Sequence, residues 1–136
     1  MKRLLFLLSV LCLIVGCSRG ASVGGRVTFE DGTPLTVGEV IFQTGTCLVS
    51  GRIQSDGTYK LAGATKNDGV PLGHYGVRIV GAYDTSNTPP GITSPSEALP
   101  PIPLIDKKFE KTETSGLTCE VKGSTMFDIT VTKPNR

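Results

Sequence analysis

Short runs in which apolar residues recur at every second position, each closed by a glycine-bearing turn, constrain this chain more than any other feature. Val23, Gly25, Val27 and Phe29 alternate with Gly24, Arg26 and Thr28. A period of two gathers one set of side chains on one face of a strand. The pattern returns at Val40 and Phe42, over Val49 to Ile53, at Tyr59 and Leu61, and at Tyr75, Val77 and Ile79. It closes the chain at Leu117 to Val121 and then at Phe127, Ile129 and Val131. No longer segment carries the 3.6-residue apolar period of an amphipathic helix.

Turn chemistry separates these runs. Glu30-Asp31-Gly32-Thr33-Pro34 is a turn by its Asp-Gly and Pro. Ser55-Asp56-Gly57-Thr58 reads as a tight hairpin turn, since Asp-Gly tolerates the positive φ such turns demand. Asn67-Asp68-Gly69 makes another, and Lys122-Gly123-Ser124 reads as a short hairpin joining the last two strands. The stretch 84–103 breaks the rhythm with six of the nine prolines. Proline cannot donate to a sheet ladder, so this stretch is expected to be a long surface loop with polyproline-like pieces. About seven short strands with turns between them predict an all-β chain folded as a β-sandwich. The core is modest, with no Trp, and draws on Val, Ile and Leu, which suit strands.

The first residues obey a different logic. Lys2 and Arg3 precede an uncharged apolar run, Leu4 to Val15. As helix this run would span roughly 18 Å, well short of the ~30 Å hydrocarbon core, so a signal peptide fits and a spanning helix does not. Ile14-Val15-Gly16-Cys17 resembles the lipobox of bacterial lipoproteins: branched apolar residues, a small residue, then Cys. That resemblance implies cleavage after residue 16, a diacylglyceryl group on the Cys17 thiol and a tether over 17–22. The implied address is the cell membrane or the outer membrane, with the domain facing the periplasm or the exterior. Two or more acyl chains anchor stably without a basic patch.

Charge fits that address. The chain has 14 basic and 12 acidic residues, and loss of Lys2 and Arg3 leaves the two signs equal. An interspersed neutral balance excludes nucleic acid, which needs clustered Lys and Arg against phosphates. Cys47 and Cys119 remain in the exported part, where disulfides persist. Alternation places both thiols on inward faces. They are expected either to bridge, closing a long loop, or to sit apart as two buried thiols.

A family resemblance emerges from the order of motifs. Gly25-Arg26-Val27-Thr28-Phe29, Asp31-Gly32-Thr33-Pro34-Leu35 and Gly38-Glu39-Val40-Ile41-Phe42 resemble the opening strands of carboxypeptidase-regulatory-like, or transthyretin-like, domains. Asp56-Gly57-Thr58-Tyr59 resembles the family's Asp-Gly-x-Tyr signature, and Gly73-His74-Tyr75-Gly76-Val77 its Gly-x-Tyr-x-Val strand. The resemblance covers nearly all of Val23 to Thr132 and implies a Greek-key sandwich of the prealbumin type over 23–133. Asp56, Gly57, Tyr59, Gly73 and Tyr75 are then fold determinants of turn and core rather than a binding site.

Catalytic chemistry finds no constellation here. A zinc carboxypeptidase needs His and Glu ligands with a catalytic Glu, and the chain has one histidine. The transthyretin-related hydroxyisourate hydrolases end in Tyr-Arg-Gly-Ser, whereas this chain ends Val131-Thr132-Lys133-Pro134-Asn135-Arg136. His74 falls on the outward face beside Arg78, and Asp31, Asp56 and Asp68 precede Gly in turns where Asp caps the backbone. No catalytic residue, metal or cofactor is therefore expected. Two classes of function remain: a structural or protein-interaction module of the cell envelope, and a module binding glycans or another ligand. The lack of Trp, with Tyr83 as the only loop-placed Tyr, favours the first.

Overall fold

The computed structural model describes residues 20–62 and 69–135. The expected signal peptide, the first half of the tether with Cys17, and the Asn67-Asp68 part of one turn lie outside the described residues. Ten strands are assigned among those described. They form two four-stranded sheets and one two-stranded ladder, with a single α-helical turn, so the chain is all-β.

β1 (Val23–Phe29) is the spine of the first sheet. It pairs antiparallel with β4 (Thr58–Lys60) on one side. On its other side lie β9 (Thr125–Met126) and β10 (Ile129–Val131), both parallel to it. The second sheet runs in the order β3-β2-β5-β8, all antiparallel, with β2 (Glu39–Gln43), β3 (Leu48–Arg52), β5 (Gly73–Val80) and β8 (Leu117–Val121). Alternation decides what meets between the sheets. Val23 and Val27 face Val40, Phe42, Tyr75, Val77 and Ile79 in one core with Val121, Ile129 and Val131.

Phe42 is fully buried at its centre. Its ring stands 5.8 Å from Tyr75, tilted at 45°, and 5.8 Å from Phe127, edge-on at 88°. Edge-on and tilted contacts suit the ring quadrupole. Because Phe127 comes from the chain between β9 and β10, this trio joins the two sheets.

Three sequence expectations need correction. Lys122-Gly123-Ser124 is not a hairpin loop: β8 pairs with β5, whereas β9 and β10 pair with β1 in the other sheet. Alternation tells which face is buried, not which strand is the neighbour. The Asp56-Gly57 turn is real, with Gly57 N donating to Gln54 O at 2.9 Å and Gln54 N to Thr58 O at 2.8 Å. Its arms nevertheless diverge into different sheets and keep only a single bridge, Ser50 to Ala62. The proline-rich stretch is an exposed excursion, yet its ends are zipped. β6 (Tyr83–Asp84) pairs with β7 (Ile102–Pro103), and Asn87 Nδ2 reaches Pro100 O at 3.1 Å.

The segment after the excursion held no periodic signal. It forms a 3₁₀ turn over Lys107–Glu110 and one α-helical turn, α1, over Thr112–Ser115. Ile105 and Phe109 are buried there and join the core. Ser115 Oγ donates to Val77 O at 2.6 Å and accepts from Leu117 N at 3.2 Å, which pins α1 to β5 where β8 begins.

Candidate functional site

The residues singled out for turn and core are divided between the two sheets, Asp56, Gly57 and Tyr59 at β4 and Gly73 and Tyr75 in β5. Tyr59 is 3 % exposed in β4, opposite Gly25 of β1. Its hydroxyl donates to Phe127 O across β1. β9 and β10 share one register against β1, since Val23 meets Thr125 and Val27 meets Ile129. Between them the ladder opens at Phe127 and Asp128. There Asp128 Oδ1 accepts from Arg26 N at 3.0 Å, and Phe127 O turns to the tyrosine. Removing the tyrosine oxygen would leave a part-buried carbonyl without its partner, so Tyr59→Phe is expected to lower stability by about 1–2 kcal/mol in urea titrations at neutral pH.

Gly57 sits at φ +83°, and a Cβ there would lie 2.7 Å from Pro34 Cβ and 2.8 Å from Val27 O. The glycine thus serves both the turn and the closeness of two connections. Gly73 opens β5 at φ +152°. Asp56 is exposed and closes its turn by accepting from Thr58 N at 3.0 Å and Thr58 Oγ1 at 2.6 Å. Asp31 and Thr33 repeat this arrangement.

Those bonds hold the carboxyls of Asp31 and Asp56 below the ordinary value of 3.8, the Thr hydroxyl first and the Thr backbone N–H second. A depressed native pKa gives stability that is present above the unfolded value and disappears as pH falls through the folded one. The midpoint of urea unfolding is therefore expected to decline below about pH 4, and Asp56→Asn to flatten that acid limb. An unchanged slope in the variant would disprove the assignment.

Tyr75 is buried inward, and its hydroxyl donates to Pro71 O at 2.7 Å. Burial, with a further contribution from the Cys47 thiol, pushes its pKa up to about 12. Cys119 is its partner across β5 and β8. The bridge expected as one alternative between Cys47 and Cys119 is not formed, and both are free thiols. The register gives the reason. Cys47 closes the β2–β3 turn at the outer strand β3, through Thr44 N to Cys47 O at 2.8 Å, while Cys119 belongs to β8. With β2 and β5 between them, three strand spacings of about 4.8 Å set the two Cα atoms roughly 14 Å apart, twice the reach of a disulfide. Both thiols are expected to alkylate in denaturant without reductant. Mass spectrometry showing neither labelled would contradict this register.

His74 is exposed on the outer face, 3.5 Å from Glu120, which also lies 3.5 Å from Lys122. No group of three or more His, Cys, Asp or Glu side chains comes together in a metal-holding arrangement among the described residues. A groove lies instead at the end of the sandwich where β1 and β10 finish. It has a volume of about 560 Å³ and is lined by Phe29, Glu30, Asp31, Asp106, Lys108 and Lys133, among others. An apolar hollow of about 460 Å³ adjoins it, sharing Phe29, Lys133 and Pro134 and adding Ile102, Pro103 and Leu104. Lys133 Nζ lies 5.7 Å from the Phe29 ring centre, a cation–π contact. Two of the carboxylates are already committed, Asp31 to its own turn and Asp106 to Lys108 N at 2.9 Å. The groove can hold an apolar or mixed surface, and its two aspartates are engaged as caps.

The sequence signals missed this groove because its walls come from three separated stretches. None of the predicted site residues that are described lies in it. No family model matches the chain, and no curated protein matches it. Among solved structures the chain is similar to a DUF3823 family protein from Bacteroides ovatus ATCC 8483, at 18 % identity and a TM-score of 0.46. The match covers 84 % of this chain and 45 % of that one, so the chain spans under half the length of that protein.

Proposed function

We propose that this chain is a cell-envelope lipoprotein, anchored through acyl chains on Cys17, whose β-sandwich is a non-catalytic structural or protein-interaction module. The address is supported by Lys2-Arg3, the short apolar run and Ile14-Val15-Gly16-Cys17. Among the described residues no helix is long and apolar enough to cross a membrane. The role is supported by one observation: the groove at the end of β1 and β10 joins an apolar wall at Phe29, Ile102, Pro103 and Leu104 to two aspartates, Asp31 and Asp106, that are already bound in turns. Such a surface suits contact with another protein better than proton transfer, which needs an acid or base aimed at a reacting atom.

The module is read as a Greek-key sandwich of the carboxypeptidase-regulatory-like type. In support, the connections after β1, β3, β4 and β8 all pass from one sheet to the other, and β1 takes partners from far along the chain. Mass spectrometry of the native amino terminus tests the address: a diacylated Cys17 is expected, and a chain retaining Met1 with no fatty acid overturns it. A photo-crosslinking residue at Ile102 tests the role in cells, with a discrete protein adduct expected. Specific binding on a glycan array, with no adduct, would move the assignment to a ligand-binding module.

A further inference from the structure

The end of the sandwich opposite the groove carries a second surface. The register collects it where the chain enters the fold: Gly24 of β1 stands between Lys60 and Met126, and Gly73 of β5 stands beside Val121. Just upstream, Ala21 and Val70 exchange two backbone hydrogen bonds of 2.8 Å. Leu72 and Met126 are the two most exposed large apolar side chains among those described, at 63 % and 78 %. Exposed Lys60 and Lys122 flank them, with Glu120 3.5 Å from Lys122. Val37 and Ile102, also exposed, lie at the far end, past the finish of β1 and β5.

We propose that this end docks on the lipid surface, with Leu72 and Met126 among the headgroups and Lys60 and Lys122 at lipid phosphates. The inference rests on lipidation of Cys17 as proposed above. Its physical content is reach. Four residue steps lead from Cys17 to Ala21, which is buried and held by Val70, and four steps span at most about 14 Å. The headgroup layer is itself about 5 to 8 Å deep. An acylated Cys17 therefore leaves too little slack for the domain to stand off the bilayer. The end bearing Ala21 must meet the headgroups, and there it presents its two most exposed apolar side chains with lysines, the composition of an interfacial contact.

The chain has no Trp, so single tryptophans report depth without background. Leu72→Trp, Met126→Trp and Val37→Trp are to be made in the full acylated protein. Each is reconstituted in phosphatidylethanolamine–phosphatidylglycerol vesicles containing lipids brominated on the acyl chains. Emission at positions 72 and 126 is expected to fall roughly twofold and to shift blue, as for tryptophan at a membrane interface, with position 37 unaffected. Protein that carries its acyl chains and floats with the vesicles, yet is unquenched at 72 and 126 or equally quenched at 37, overturns the docking face while leaving the lipoprotein reading in place. Protein that bears no acyl chain and does not float overturns both.

Discussion

Gly25→Val is expected to leave little or no folded protein, with a loss of about 3–5 kcal/mol where any native state survives. Gly25 is buried on the inward face of β1 between Val23 and Val27. A Cβ at that position would lie 2.1 Å from Phe127 O and 2.6 Å from Phe127 C. These are backbone atoms, so no rotamer change relieves the overlap, and the β9–β10 connection has to move. That connection holds three hydrogen bonds: Phe127 N to Gly24 O at 2.8 Å, Arg26 N to Asp128 Oδ1 at 3.0 Å, and the Tyr59 hydroxyl to Phe127 O. Displacement strains or breaks all three while adding volume to a packed interior. Soluble yield and urea unfolding of Gly25→Ala and Gly25→Val check the claim. A valine variant as stable as the parent would show that the ladder closes differently at this point.

Phe42→Ala is expected to cost about 3–5 kcal/mol, a large part of the 5–15 kcal/mol that holds a domain of this size together. Phe42 has no exposed surface and touches the rings of Tyr75 in its own sheet and of Phe127 from the other. Truncation removes the contact that couples the sheets and leaves a void that neither ring can fill without leaving its place. Phe42→Leu, which keeps most of the volume, is expected to lose about 1 kcal/mol. Urea titrations of the two variants separate a cavity cost from a general intolerance of substitution. Equal losses would argue against the cavity.

Much of the strand content was readable because burial and alternation are the same fact seen twice. Val23, Val27, Tyr75, Val77, Ile79 and Val121 were placed inward by period alone, and all are buried. Tyr59 and Tyr75 were read as determinants of the core, and both are buried with the hydroxyl on a backbone carbonyl. Other elements left no trace of this kind. The 3₁₀ turn and α1 are four residues each, too short to display a helical period, and Phe109 is buried by its place against β5 rather than by a pattern. β6 and β7 carry no strand signal at all. Pro103 pairs with Tyr83 at the base of an excursion, where two residues suffice to close it.

Local order alone determined which residues face inward, where the Asp-Gly turns fall and that the chain is built of strands. These depend on φ preferences and on side-chain alternation over a few residues, which neighbouring residues dictate. Partnership between distant strands belongs to the tertiary structure alone. It sent β8 and β10 to different sheets, held Cys47 and Cys119 apart, set Gly25 against Phe127 and built a groove from Phe29, Asp106 and Lys133. A strand's own residues specify its buried face, whereas the neighbour it pairs with is chosen by how the whole core closes.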